Sequence, residues 1–392
     1  MRKLAIITTH PIQYYAPWFK LLSNYNAVDV KVFYTWSQAS ETVEDKTFGR
    51  TIKWDIPLLE GYKYHFSENM ASDPGPHHKN GIDNPNLIGE IEEWRPDVIL
   101  VFGWYLKSHL KVLKYFKGKT LVWFRGDSTL LDDKPGVKKL LRQGYLTYIY
   151  RYIDKAFYVG IENKKYFKSV GLKEEQLIYA PHAIDNNRFY DSEDKQYTVK
   201  AEKWRKELGY KEEDIVILFA GKFEDKKQPD LLIHALQNVN KGNEVKLKLL
   251  LLGNGPLEEE LKALSAKDRN IQFLPFQNQS MMPVVYGLCN VFCLPSQGPG
   301  ETWGLAVNEA MACGKPAIVS NKVGCHSDLI IDNETGWVFD FDNQNQLESI
   351  LNKIKIHNLK TIGNNANMHI KQWSFDKIVE AFNSEIIGIN GK

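Results

Sequence analysis

Two carboxylates eight positions apart, Glu301 and Glu309, stand in the segment SQGPGETWGLAVNEAMACGKPAIVS, residues 296–320. A carboxylate offers only acceptors, and its two oxygens can take hydrogen bonds from both hydroxyls of a vicinal diol. The pair therefore suits a ribose or a sugar. Between them, Leu305, Ala306, Ala310 and Met311 have helical spacing from Gly304, and Gly314 followed by Pro316 predicts the helix stop. The first N–H groups of that helix, near Trp303, Gly304 and Leu305, would face an anion, and Gly304 lets the anion approach the backbone. Glu309 lies about 7.5 Å further along the helix, a reasonable offset from a diphosphate to a ribose diol. Glu301 and Thr302 lie in the loop on the other side, where Glu301 can accept from sugar hydroxyls. Alone, each glutamate also reads as a solvated charge; the Gly-rich loop, the TWGL turn and the AMACGKP stop favour binding.

A second cluster is basic. In FAGKFEDKKQPDLLIHAL, residues 219–236, Gly221 and Lys222 end a strand and Lys227 shortly precedes a helix. Both lysines can reach the same space and offset charge on a departing diphosphate, although Lys226 and Lys227 also read as a solvated turn. A positioned cation of this kind contributes on the order of a hundredfold to a thousandfold in rate.

The elements that position these groups are short apolar strands alternating with helical stretches. LAIITT (4–9), VKVFYT (30–35), VILVFG (98–103), TLVWF (120–124), AFYV (156–159) and LIYA (177–180) form one series. IVILFAG (215–221), KLLLLG (248–253), IQFLP (271–275), VFCLP (291–295) and AIVS (317–320) form another, after a polar stretch at 185–200. Two parallel, doubly wound α/β domains are expected, with ligand outside the carboxyl ends of their strands. The expected divisions are an acceptor-side domain at 1–184, a linker at 185–200 and a nucleotide-sugar domain at 201–371. A terminal helix is expected within 372–392.

The bulk properties fit that layout. At 392 residues and 43% hydrophobic the chain can fill two cores, and a formal net charge of +2 gives no reason to expect nucleic acid. No apolar run approaches 18 residues, and the opening apolar stretch is too short for a signal sequence, so a cytoplasmic protein is expected. Cys289, Cys293, Cys313 and Cys325 lack any C-x-x-C pair and read as reduced structural thiols. Asp340-Phe341-Asp342 matches the D-x-D of metal-dependent sugar transferases. It stands between an apolar stretch and a helix, so it reads as a loop and helix cap.

Glu301-x7-Glu309 within ETWGLAVNEAMACGKP resembles the signature of retaining glycosyltransferases of family 4, the glycosyl transferases group 1, which have the GT-B fold: two Rossmann-like domains facing a central cleft. The segment around Gly221 is similar to the family's strand, Gly, basic residue, five-residue step to Lys, then helix, with Lys222 standing where Arg is usual. YAPHAIDNNRF (179–189) resembles the segment leading into the interdomain linker. LLLLGNGP (249–256) and IQFLPFQNQ (271–279) resemble the strand ends that flank the nucleotide base, with backbone contacts around Phe276. VFCLPS (291–296) resembles the strand before the signature. The resemblance spans nearly the whole C-terminal half and implies a nucleotide-diphosphate sugar donor, no metal or other cofactor, and a terminal helix that packs back on the first domain. It also implies a front-side, retaining transfer in which the leaving phosphate takes the acceptor's proton.

The N-terminal half departs from the family pattern. THPIQYYAPWF (9–19) fills the first strand-to-helix loop without the usual paired glycines and resembles a subset with a His-Pro-Ile-Gln-Tyr opening; it supplies His10 and Tyr14. Where relatives place a His beside the sugar, this chain has Arg125-Gly126-Asp127. Arg125 can bind a sugar hydroxyl or a phosphate, Asp127 can orient an acceptor hydroxyl, and a salt-bridged turn is the competing reading. His10 is a further candidate at the sugar, or a hydrogen-bonded structural His. Residues 101–150 hold 10 Lys plus Arg against 3 Asp plus Glu, interleaved with aromatics. This region suits an anionic membrane surface; alternatively Leu140, Leu141, Leu146, Ile149 and Ile153 are core with a basic rim.

The expected function is a retaining, metal-independent hexosyltransferase. It moves a sugar from a nucleotide-diphosphate sugar to a hydroxyl of a glycan, glycolipid or protein-linked acceptor, in surface polysaccharide or glycoconjugate assembly, in the cytoplasm or at the inner face of the plasma membrane. A GT-B epimerase or hydrolase would turn over donor without acceptor, and a non-catalytic module would bind donor without turnover.

Overall fold

The structure is a computed structural model that describes residues 1–39, 43–45, 50–52, 55–243 and 246–389. The chain divides into two compact units, one mainly of the residues up to His182 together with the segment from Phe375, the other mainly of Ala183–Ser374.

The first unit is built on seven parallel strands: β1 (Arg2–Thr8), β2 (Val28–Tyr34), β3 (Lys63–Phe66), β4 (Val98–Phe102), β5 (Leu121–Arg125), β6 (Lys155–Tyr158) and β7 (Leu177–Tyr179), in spatial order β3-β2-β1-β4-β5-β6-β7. β1 is apolar for most of its length because neighbours flank it on both sides: Leu4 pairs with Val30 of β2 and with Val98 of β4. β3 escapes a reading by hydrophobic run, since it is an edge strand whose Lys63 and Tyr64 face solvent. The helix Phe375–Gly388 belongs to this unit: Phe382 stacks on Phe157 at 3.9 Å and on Trp18 at 5.2 Å, and Glu385 pairs with Lys155.

The second unit repeats the topology with six parallel strands: β8 (Val216–Ala220), β9 (Lys248–Leu252), β10 (Ile271–Leu274), β11 (Val291–Leu294), β12 (Ala317–Ser320) and β13 (Gly336–Phe339), in order β10-β9-β8-β11-β12-β13. β13 is a short edge strand that the apolar series does not reveal. Ile217, Phe219, Leu249, Leu251 and Cys293 meet in one core on one face of the sheet. All four cysteines are free, and burial pushes the Cys289 thiol up to about 11. Residues 185–200, read as a linker, carry the helix Asn186–Phe189 and the start of the helix Tyr197–Glu207 and lie in this unit. In the D-x-D loop the helix cap is Asn343, whose side chain accepts from Gln346 N, while Asp340 accepts from Asn321 at 2.8 Å. Each sheet thus has the doubly wound order 3-2-1-4, with a topological switch at β1/β4 and at β8/β11.

The basic helix Val137–Tyr150 corrects one expectation. Leu146, Ile149 and Ile153 are buried, but Leu140 and Leu141 are 69% and 71% exposed. Leu146, Ile149 and Tyr150 share one stripe; at about 100° per residue, Leu140 and Leu141 lie roughly 120° and 140° from it on opposite sides. Among the described residues, no helix is long and apolar enough to cross a membrane.

Candidate active site

Because every strand of the second sheet runs the same way, the loops after β8, β9, β10, β11 and β12 all open at one edge. The loop after β9 can lie against the loop after β8 only because residue 253 is glycine. Its φ is +144°, and a Cβ there would come within 1.9 Å of Gly221 O. Gly221 N in turn donates to Leu252 O, and Phe223 N to Asn254 O. Phe276, half-buried, stands on the loop after β10.

At the switch point itself, the loop after β8 meets the loop after β11. Gln297 N donates to Lys226 O, and Gln297 Nε2 to Asp225 O, both at 2.9 Å. This docking sets the Lys227 ammonium against Glu301 Oε2, which also accepts from Ser296 Oγ at 2.9 Å. Ser296 is fully buried, and its carbonyl accepts from Ser320 Oγ at the end of β12. The structure thus joins Lys227 and Glu301, while Lys222 lies half-buried on the same loop as Lys227.

The helix after Glu301 runs Leu305–Ala312 from Gly304, which holds φ +95°. A Cβ on Gly304 would come within 2.8 Å of Val323, so glycine is required by backbone angle and by space. The Trp303 side chain is packed inside: the residue is 3% exposed and its Nε1 donates to Asn308 Oδ1 at 2.8 Å. Its carbonyl accepts from Cys325 N and that of Glu301 from Gly324 N, which fixes the loop. Thr302 and Leu305 remain partly exposed at the helix start. The helix ends as a tight turn, with Gly314 N donating to Met311 O and Lys315 N to Ala310 O.

Glu309 departs most from expectation. It is 3% exposed, its Oε2 accepts from the buried Tyr286 hydroxyl at 2.8 Å, and its Oε1 is 3.9 Å from Arg188 Nη2. Arg188 also donates to Gln279 Oε1 at 2.7 Å. Both carboxylate oxygens therefore have protein partners, which a ribose diol would have to share or displace. Tyr286, Arg188 and Ser296 escape the sequence reading; Arg188 and Ser296 lie within the quoted segments YAPHAIDNNRF and VFCLPS.

In the first unit, His10 and Tyr14 follow β1 and Asp127 follows β5, past the strands' carboxyl ends, while Arg125 is the last residue of β5. Arg125 is 2% exposed and donates from Nη1 to Ala180 O at 2.8 Å and from Nη2 to Pro181 O at 2.9 Å. Burial lowers its pKa to about 10, with Tyr15 and Asp127 opposing. Both terminal nitrogens donate to backbone carbonyls, so the guanidinium braces the segment after β7. That strut brings His182 to Asp127, with 3.7 Å between Nε2 and Oδ2, and Tyr15 stacks parallel to the His182 ring at 6.3 Å. Burial lowers the His182 pKa and Asp127 raises it. Tyr15 escaped the sequence reading, and His182 was legible only as a histidine at a strand end. His10 packs edge-on against Trp36, its Nδ1 2.9 Å from Thr9 Oγ1, and burial lowers its pKa to about 4, so it is neutral near pH 7.

Comparison with known proteins bears on both units. Residues 200–367 match the family model for glycosyl transferases group 1, a stretch that contains Lys222, Lys227, Glu301 and Glu309. An uncharacterised glycosyltransferase of Methanocaldococcus jannaschii is 26% identical over 225 residues, 56% of this chain and 61% of that protein. A D-inositol 3-phosphate glycosyltransferase of Gordonia bronchialis is 31% identical over 193 residues, 45% of this chain and 41% of the other. The chain thus spans less than two thirds of the length of the curated relatives it matches. The crystal structure of Anabaena HepE in complex with UDP and glucose superposes over 99% of this chain and 100% of that one, with a TM-score of 0.71 at 16% identity. The chain has the α/β fold of GT-B glycosyltransferases, two parallel-sheet Rossmann-like units, and over residues 200–367 it matches the glycosyl transferases group 1.

Proposed function

We propose that this protein is a retaining glycosyltransferase of family 4 type, in the subset with the His-Pro-Ile-Gln-Tyr opening, that moves a hexose from a nucleotide-diphosphate sugar to a hydroxyl acceptor without a metal ion. One observation carries the reading: at the β8/β11 switch, Lys227 and Glu301 are paired at the mouth of a glycine-started helix. That juxtaposition supports a site with a cation for the departing diphosphate and an acceptor for sugar hydroxyls. In the proposed step the bond from the anomeric carbon to the phosphate oxygen breaks with its electron pair going to phosphate. The acceptor oxygen bonds on the same face, and its proton passes to the leaving phosphate. Lys222 and Lys227 offset the developing charge, and the amides at Thr302 to Leu305 hold the diphosphate. Gly221 leaves room beside them, and backbone around Phe276 meets the base. Glu309 contributes to the ribose from a carboxylate already anchored by Tyr286. Asp127 with Tyr14, and His10 as a neutral partner, are assigned to the acceptor; Arg125 acts on them through the segment it braces.

UDP and glucose in HepE, and the glycosyltransferase names of the relatives, support a nucleotide-sugar donor. Peripheral contact with the inner face of an anionic membrane, in surface polysaccharide or glycoconjugate assembly, draws support from the helix Val137–Tyr150. That helix exposes Val137, Leu140 and Leu141 beside Lys138, Lys139 and Arg142, although Asp133 pairs with the last two. The test is a thermal-shift screen against UDP, GDP, ADP and their sugar conjugates, with chelator present. A ligand at a hundred times its dissociation constant stabilises by about 2.7 kcal/mol. A selective shift names the donor; no shift with any nucleotide sinks the reading.

A further inference from the structure

The loop that follows β3 gathers three metal-ligand side chains, none of them used above. Asp73, His77 and His78 occur in the run DPGPHH. Their donor atoms all lie within 4.8 Å of one another, and no other such group of His, Cys, Asp and Glu occurs among the described residues. His77 Nε2 is 3.1 Å and His78 Nε2 3.3 Å from Asp73 Oδ2. Ligands bound to zinc at roughly 2.0–2.1 Å in a tetrahedron stand about 3.3–3.4 Å apart. Two edges of the donor triangle therefore already have nearly the length that one shared ion would impose.

The backbone holds the three side chains there. Pro74 and Pro76 fix their φ angles on either side of Gly75. Gly75 has φ +148°, and a Cβ on it would lie 2.5 Å from His77 Nδ1. Gly75 N donates to Gly81 O at 3.0 Å, and a Cβ on Gly81 would strike Gly75 O at 2.0 Å. Asn69 closes the knot: its Nδ2 donates to Gly81 O, and its Oδ1 accepts from Ala71 N and Asp83 N. The three ligands stay solvent-accessible, so an ion can enter without opening the fold.

Hydrogen bonding pairs only His77 Nε2 with the carboxylate, while His78 Nε2 lies 3.0 Å from the Asp73 carbonyl and the two ring centroids are 4.6 Å apart. A single divalent ion would engage all three groups at once. Imidazole with carboxylate suits zinc, cobalt or nickel, whereas magnesium and calcium favour all-oxygen sites. We propose that Asp73 Oδ2, His77 Nε2 and His78 Nε2 form a three-ligand site for a divalent transition metal of zinc type. Water completes the coordination, and the bound ion clamps the loop 71–85. This site lies in the first unit and takes no part in the reaction proposed for the Lys227 and Glu301 site.

Calorimetric titration with Zn²⁺ and visible d–d absorption with Co²⁺, on full-length protein stripped of metal and of any affinity tag, test this. One ion per chain is expected, bound at least about tenfold more weakly by Asp73→Asn and by His77→Gln, since loss of even an outer partner of a ligand costs ten- to a hundredfold. Zn²⁺ should also raise the unfolding temperature of the wild type and, at the same concentration, raise that of both variants by less. The proposal is overturned by the absence of saturable binding. It is equally overturned by undiminished binding in a His77→Gln/His78→Gln double variant whose circular dichroism matches the wild type.

Discussion

Replacement of Glu309 by alanine separates its anchoring from its proposed part in nucleotide binding. The substitution leaves the Tyr286 hydroxyl, 2.8 Å from Oε2 and fully buried, without this acceptor, whereas Arg188 keeps Gln279. A hydrogen bond to a buried charged group contributes about 1.5–3 kcal/mol. Taking about 2–3 kcal/mol, and about 2–4 °C per kcal/mol for a unit of this size, the melting temperature should fall by about 4–12 °C. Glu309→Gln keeps an acceptor for Tyr286 and should recover most of that loss. Scanning calorimetry on both variants reads the stability, and titration with UDP reads the affinity. An alanine variant that melts with the wild type would refute the anchoring argument. If the alanine variant binds UDP as tightly as the wild type does, Glu309 has no part in the ribose site.

Three further outcomes are expected. Lys227→Ala should reduce turnover by about a hundredfold to a thousandfold, and a steady-state assay with donor and acceptor that shows less than a tenfold loss would remove it from the chemistry. Arg125→Met should lower the unfolding temperature without changing UDP affinity, because it orphans the carbonyls of Ala180 and Pro181 in the first unit; an unchanged unfolding temperature would show that the strut is dispensable. His109, buried with Nδ1 donating to Phe102 O and Nε2 2.9 Å from Thr35 Oγ1, has its pKa lowered by burial to about 4. Its neutral form is favoured by folding, so its contribution is complete above about pH 6.5 and is lost as pH falls from there towards 4. Unfolding followed across that window should show a shallower decline in His109→Gln than in the wild type; parallel curves would refute the assignment.

The sequence alone determined much of the framework, because strands flanked on both sides must be apolar along their length. β1, β4, β8, β9 and β11 were legible for that reason, as were the helix signals at Gly304 and Gly314. A parallel sheet with those strand ends puts Lys222, Lys227 and Glu301 at one edge whatever the loops do. Two edge strands were not legible: β3 begins with the exposed pair Lys63 and Tyr64, and β13 is only partly buried. The exposure of Leu140 and Leu141 was open to a stricter count of helical angle, since they lie off the stripe that Leu146, Ile149 and Tyr150 share.

Partnerships between distant segments were decided only by the tertiary structure. Arg125 suited either a sugar or phosphate contact or a salt-bridged turn, and its guanidinium ends instead on carbonyls 55 and 56 residues away. Glu309 had the right spacing for a diol, but Tyr286 and Arg188 reach its oxygens from other elements. Periodicity and turn chemistry are local, and they report which way a side chain leaves its own strand or helix. What waits at the other end depends on sheet order and on loop docking through contacts such as Gly253 on Gly221, which no local pattern encodes.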